Sequence, residues 1–133
     1  MIKNFAHICF IVSNLEKSIH FYADILGFKK GFDFIDDKGK RYGIYLLIGG
    51  RNFIELFEGT PKAAVDGASF KHFCLETDNI EETVKELRAK KIEVTDIKLG
   101  KDESYQAWIA DPDGNKIELH QYTAKSKQLE ALR

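Results

Sequence analysis

The stretch Asp111-Pro112-Asp113-Gly114-Asn115-Lys116-Ile117-Glu118-Leu119 carries the pattern that decides the fold. A turn rich in Asp, Pro and Gly leads into a strand in which apolar residues alternate with Glu118 and His120. The core of this strand occurs earlier as Ile54-Glu55-Leu56, at an offset of 63 residues (118 − 55). This recurrence indicates an internal duplication.

The beginnings of the two halves also match, at an offset of 65 residues (72 − 7). His7 then falls on His72, and Cys9 falls on Cys74. The small difference between the two offsets fits loops of different length between the same elements.

Each half predicts the element order βαβββ. Alternating β-branched and aromatic residues predict strands at 5–12, 28–35, 42–48 and 52–57, and at 70–77, 92–97, 105–110 and 116–122. Capping boxes at Ser13-Asn14-Leu15-Glu16 and Asp78-Asn79-Ile80-Glu81 predict the helix starts.

The predicted fold class is α+β, with two tandem βαβββ modules that form a curved mixed sheet around a metal-site cavity. We expect a single domain over residues 1–122, with modules of about 1–58 and 70–122 joined by a linker at 59–69. Residues 123–133 form a polar tail, in which a short helix containing Leu129 and Leu132 is expected.

Composition limits the classes of function. The chain has 133 residues, is 44% hydrophobic and has a net charge of −1, which favours a globular protein without a nucleic-acid partner. Its apolar runs are far shorter than the roughly 20 residues that a membrane span requires. The start of the chain has no signal-peptide pattern, so we expect a cytoplasmic protein whose two cysteines are free thiols.

The duplication repeats a His on the first strand and a Glu on the last strand of each half: His7, Glu55, His72 and Glu118. Apolar neighbours flank His7, Glu55 and Glu118, so strand alternation places these polar side chains on the face away from the helix. Any one of them alone would be an ordinary structural His or solvated Glu. Together they predict a site for one divalent metal ion, Ni, Zn, Co, Mn or Fe(II).

The chain resembles the vicinal oxygen chelate superfamily over residues 5–122. The resemblance rests on several motifs: His7 with 13–18 and Phe21-Tyr22, Leu26-Gly27-Phe28, Phe53-Ile54-Glu55-Leu56, His72 with Thr77-Asp78-Asn79, and 111–119. The His, Glu, His, Glu order is similar to that of glyoxalase I, which implies that all four residues bind one metal ion.

That resemblance implies a lyase that isomerises a small-molecule hemithioacetal, formed from methylglyoxal and a thiol, through a metal-stabilised enediolate. Glu118 or Glu55 would be the catalytic base that moves the proton. Short members of the superfamily commonly form homodimers, so a homodimer is expected. The metal ligands could come from one chain or from two.

This chain also departs from the glyoxalase pattern. Enzymes of that family that use glutathione carry an Arg four residues after the first metal His and an Asn four residues after the first metal Glu. Ile11 and Gly59 stand at these positions, which leaves the identity of the thiol open.

Three residues are predicted to line the pocket: Ile11, Glu76 and His120. Glu76 fits an exposed strand end best, whereas His120 fits the metal's surroundings and the rim equally well. We interpret Cys9 and Cys74 as buried, inert thiols and Trp108 as a core residue.

Two other classes of function stay open on the sequence alone. One is a metal-free protein of the same fold that binds or sequesters a drug-like molecule. The other is an Fe(II) extradiol-type dioxygenase, which needs only two His and one carboxylate, so that Glu55 would be surplus.

Overall fold

The structure, a computed structural model, describes residues 1–62 and 65–133. The chain forms two compact units that divide at residues 63–64, and each predicted module corresponds to one unit. Residues 63 and 64, in the middle of the predicted linker, lie outside the described residues.

The described part of the first unit, residues 1–62, forms four strands and one helical segment. Strand β1 (His7–Val12) leads into helix α1 (Leu15–Ile19), which continues as a π-helix (His20–Ile25). Strands β2 (Lys29–Ile35), β3 (Arg41–Gly49) and β4 (Asn52–Glu58) follow. The sheet order is β1-β4-β3-β2, with β1 parallel to β4 and the other pairs antiparallel.

The second unit repeats this arrangement. It consists of β5 (Phe73–Glu76), α2 (Ile80–Ala89), β6 (Lys98–Leu99), β7 (Tyr105–Ala110) and β8 (Lys116–Gln121), in the sheet order β5-β8-β7-β6. The predicted pair of βαβββ modules is therefore confirmed, each with its own mixed four-stranded sheet. Helix α3 (Lys127–Glu130) lies in the tail where a short helix was expected, and it contains Leu129 but ends before Leu132.

Strand alternation gives each sheet one buried face and one face that carries polar groups. Ile54, Leu56 and Ile117 are fully buried, and Leu119 is nearly so. The alternate residues, among them Glu55 and Glu118, emerge on the opposite face, which we call the site face of each sheet. Buried apolar residues on one face thus fix which side chains are available for chemistry.

Two local predictions are wrong. Residues 92–97 form no strand, because their backbone groups make separate hydrogen bonds instead of a regular ladder. The Thr95 amide donates to the Trp108 carbonyl, and the Arg88 guanidinium donates to the Val94 carbonyl. Regular pairing is limited to the two residues of β6. The helices are capped by Asn14 and Asn79 instead of Ser13 and Asp78, since the two Asn side chains accept from the Lys17 and Glu82 amides at 3.0 and 3.1 Å.

Among the described residues, no helix combines the length and the apolar character needed to cross a membrane.

Candidate functional site

In the first unit, the register of the sheet brings a histidine to a carboxylate. Cys9 on β1 and Tyr45 on β3 both lie opposite Glu55 on β4. His7 Nε2 lies 3.8 Å from Glu55 Oε1, and His7 Nδ1 forms a 2.9 Å hydrogen bond with the Tyr45 hydroxyl. The structure therefore brings together the first two predicted ligands.

Aromatic rings surround this pair. Phe32 stacks on Tyr45 with ring centroids 4.8 Å apart, and Phe34 packs on Phe57 at 5.0 Å. The Phe57 ring lies directly over Gly43, where an added Cβ would come within 2.5 Å of it, so this position requires glycine. Phe32 remains 55% exposed, and the first site face is consequently apolar around His7 and Glu55.

In the second unit, the same register places Cys74 opposite Glu118 and Glu76 opposite His120. The Cys74 thiol donates to Glu118 Oε2 at 3.0 Å, and His120 Nδ1 lies 3.2 Å from the same oxygen. One ligand-type atom from each of Cys74, Glu118 and His120 lies within 4.8 Å of the other two. We call these three residues the sulfur cluster.

His120 is the buried member of the sulfur cluster, with only 6% of the residue exposed. Within the described residues, its Nε2 has no hydrogen-bond partner, and the nearest carboxylate oxygen, Asp102 Oδ2, is 3.8 Å away. Gln128 donates to that Asp102 carboxylate, and this hydrogen bond lowers the pKa of Asp102. The sequence left the position of His120 open, and the structure places it beside Glu118.

His72 lies outside the sulfur cluster and packs edge-on against Trp108, with ring centroids 4.6 Å apart. Both residues line an open cavity of about 880 Å³ in the second unit, together with Lys116. Convergence of His7, Glu55, His72 and Glu118 on one ion stays a prediction.

The interpretation of the cysteines as buried is wrong, and their inertness stays a prediction. Both Cys9 and Cys74 are exposed, and each lies beside a predicted ligand carboxylate. Partial burial of the thiol and its hydrogen bond with Glu55 raise the pKa of Cys9 to about 11. Burial and the hydrogen bond with Glu118 likewise raise the pKa of Cys74.

The remaining pocket predictions concern Ile11 and Glu76. Ile11, two residues beyond Cys9 on β1, is 46% exposed. Glu76 is exposed at the end of β5, where the sequence favoured it. Their role in a pocket stays a prediction.

Two residues of the site faces were missed from the sequence, although a signal existed. Tyr45 and Glu55 lie at equal distances from the hairpin turn around Gly50, and Trp108 and Glu118 are equally distant from the turn at Asp113. Pairing across these turns therefore predicts that each aromatic residue neighbours a ligand carboxylate. Trp108, expected in the core, is only half-buried.

The family model of the Glyoxalase/Bleomycin resistance protein/Dioxygenase superfamily matches residues 4–119. The chain belongs to this superfamily. The match covers most of both units.

Relatives within the superfamily differ in function. The chain is 32% identical to the metallothiol transferase FosB of Staphylococcus epidermidis, with 91% of this chain and 83% of that protein covered. It is 30% identical to a probable chloroplastic lactoylglutathione lyase of Arabidopsis thaliana over 88% of this chain, but it spans only 35% of that lyase's length. Its fold also matches an antibiotic binding protein from a Streptomyces species (TM-score 0.74, 26% identity, 92% and 98% of the two chains covered).

Proposed function

We propose that this protein is a divalent-metal-dependent lyase of the glyoxalase type. Its substrate is a hemithioacetal formed from methylglyoxal and a thiol, or a related molecule with vicinal oxygens, and its product is a thioester. Membership of the superfamily supports this class of reaction, and the names of two relatives, a lactoylglutathione lyase and a metallothiol transferase, both denote thiol chemistry.

The observation that carries the proposal is the arrangement of His7, Glu55 and Tyr45. When His7 Nδ1–H donates to the Tyr45 hydroxyl oxygen, the Nε2 lone pair is free on the side of the ring near Glu55. An imidazole oriented through its other nitrogen is the usual form of a histidine metal ligand.

The donor atoms fit a divalent ion. Two ligand atoms bound to one ion at about 2.1 Å lie roughly 3.0–3.5 Å apart, so the 3.8 Å between His7 Nε2 and Glu55 Oε1 needs only a small side-chain movement. We assign the metal to His7, Glu55, His72 and Glu118. When bound, the ion supplies Lewis-acid polarisation of the substrate's vicinal oxygens.

Glu55 or Glu118 moves the proton. Their side chains are only 16% and 15% exposed, so each carboxylate is largely shielded from bulk water. A shielded carboxylate can accept a proton from one substrate carbon and return it to the neighbouring carbon without losing it to solvent.

The thiol part of the substrate carries little negative charge. Exposed Ile11 on β1 offers no cation to a carboxylate, and the aromatic residues around Tyr45 favour an apolar group. We therefore expect small or neutral thiols to serve better than glutathione.

The test is a hemithioacetal isomerase assay with Ni, Co, Zn or Mn, using glutathione and 2-mercaptoethanol as alternative thiols. We expect thioester formation that depends on added metal. Replacement of either carboxylate (E55Q or E118Q) should lower kcat at least about 100-fold, which is the usual contribution of a positioned acid–base group. Glu86→Gln, on the exposed surface of α2, is the matched control and should keep wild-type activity.

Failure of every metal and thiol combination, in protein shown to contain metal, would contradict the proposed substrate class.

The aromatic surface supports a second candidate, a metal-free binding protein. Phe32, Tyr42 and Ile11 are each more than 40% exposed, and Tyr42 stacks on Phe57. Such a surface suits a flat apolar molecule. A binder of this kind would retain its ligand after treatment with a chelator, whereas the proposed lyase would lose activity.

A further inference from the structure

The cavity that His72 lines in the second unit also has lining residues that the four-residue metal set does not use. Its volume of about 880 Å³ lies within the usual range of small-molecule sites. Apolar side chains form part of its lining: Ile92, Val94 and Trp108. A molecule in this cavity therefore has an apolar surface to contact.

The charged groups of the cavity are mostly cations. In the part of the chain that the structure describes, its lining includes Lys71, Lys91 and Lys116 but one acid, Glu93. The three lysines are exposed, and none of them forms an ion pair with a carboxylate of the described residues. Three cations against one carboxylate make this lining positive on a chain whose net charge is −1. Such a local excess of positive charge attracts an anion.

The internal duplication shows that these cations are particular to the second unit. The offsets of 65 and 63 that align the two halves place Lys71 on Ala6 and Lys116 on Phe53. The first unit therefore has an uncharged residue at each of these two positions.

Lys91 occupies a backbone position that favours glycine. Its φ is 66°, in the left-handed region, and its amide donates to the Arg88 carbonyl at the end of α2. After the helical segment of the first unit, the left-handed residue is Gly27, with a φ of 82°. A side chain is disfavoured in this conformation because its Cβ crowds the backbone. A lysine at this position is explained if its ammonium group serves the cavity.

The aromatic part of the lining is held in place from two sides. The Trp108 amide donates to the Thr95 hydroxyl at 2.9 Å, and the Trp108 carbonyl accepts from the Thr95 amide at 3.1 Å. The His72 ring packs edge-on against the indole. The Trp108 ring is thus positioned without a ligand.

We propose that this cavity binds an organic anion with a flat apolar body, such as an aromatic carboxylate. The ring of the ligand contacts Trp108 and its apolar neighbours, and the ammonium groups of Lys71, Lys91 and Lys116 neutralise the carboxylate.

This inference goes beyond the proposed lyase and shares only His72 with it. His72 keeps its place among the assigned metal ligands, because the lysines and Trp108 make the contacts that hold the anion. The anion is also separate from the thiol of the proposed reaction, whose apolar contacts lie around Tyr45 in the first unit. Binding of the anion requires neither a metal ion nor isomerase activity.

Trp108 is the one tryptophan of the chain, so tryptophan fluorescence reports directly on this cavity. The probes are phenylacetate and its neutral isostere phenylacetamide, which do not absorb at the red edge of the tryptophan band. Each is titrated into the full chain after treatment with a chelator, so that a bond between carboxylate and metal cannot contribute. We expect a saturable change with phenylacetate, at a Kd of about 5 mM or lower, and at least about tenfold weaker binding of phenylacetamide. No saturable change, or equal affinity for the two probes, would overturn the site.

Removal of two cations tests the role of the lysines. Lys91→Gly suits the left-handed backbone, and its combination with Lys116→Gln should weaken phenylacetate binding about tenfold. The matched control, Lys38→Gln with Lys125→Gln, removes two exposed lysines outside the cavity and should keep the affinity within about twofold. Equal weakening in both double variants would mean that only net charge matters, and it would contradict the site. Because neither a metal ion nor a hemithioacetal enters this measurement, its result is independent of the isomerase assay.

Discussion

At the scale of single residues, the hydroxyl of Tyr45 is the group that orients His7. The ring of Tyr45 is held separately, by stacking on Phe32 and by contact with Phe53 at 5.6 Å. The orientation of the His7 imidazole and the packing of the Tyr45 ring can therefore be tested independently.

Replacement of Tyr45 by Phe removes the 2.9 Å hydrogen bond and keeps the ring. We expect metal affinity to fall about 10- to 100-fold, as it does when an outer-shell partner of a histidine ligand is lost, with little change in unfolding free energy. The measurement is metal competition against a chromophoric chelator.

Tyr42→Phe is the matched control, because Tyr42 stacks on Phe57 and its substitution removes a hydroxyl from the same aromatic surface. An equal loss of affinity in both variants would mean that the hydrogen bond to His7 has no specific role.

At the scale of elements, the turn before β8 positions Glu118 and His120. Asp111 Oδ1 accepts from the amides of Asp113 and Asn115 at 3.0 and 2.8 Å, and its Oδ2 accepts from the Asn115 side chain at 2.9 Å. Asp111 is 5% exposed, so these bonds are shielded from water. The carboxylate thereby fixes where the last strand begins.

Asp111→Ala should lower the free energy of unfolding by about 2–4 kcal/mol, since it leaves three partly buried N–H donors without their charged acceptor. Asp36→Ala is the comparison: Asp36 accepts from the Lys38 and Lys40 amides in a similar but exposed turn, so its loss should cost only about 1 kcal/mol. Urea denaturation measures both. Similar losses in the two variants would contradict the role assigned to burial.

Most strands could be predicted because alternation and turn residues are local signals. The predicted 105–110 coincides with β7, and the predicted 52–57 falls one residue short of β4. The prediction at 92–97 was wrong because Ile and Val are also accommodated in an irregular segment that a side-chain donor, Arg88, satisfies. Hydrophobic content alone does not predict with which groups the backbone amides and carbonyls form hydrogen bonds.

Only some contacts of the candidate site could be predicted, for a related reason. Alternation placed Glu55 and Glu118 on the site faces, and the duplication selected His7 as a partner of Glu55. The neighbours of Glu118 depend on the strand register and on side-chain conformation. In the structure, these place Cys74 and His120 beside the Glu118 carboxylate. A sequence repeat indicates equivalent positions but not equivalent contacts.

At the scale of the whole molecule, two similar units provide a comparison within one chain. Each unit presents a carboxylate on its last strand with a thiol opposite, and they differ in the third group, Phe57 or His120. The first unit has an aromatic surface, whereas the second has the donor atoms of the sulfur cluster. The two units therefore offer different surroundings to their equivalent carboxylates, Glu55 and Glu118.

Metal titration of chelator-treated protein, in the wild type and in the E55Q and E118Q variants, tests the central claim most directly. The account predicts one divalent ion per chain and at least a tenfold loss of affinity in each variant. Uptake below about half an equivalent by the wild type, or unchanged affinity in both variants, would contradict it.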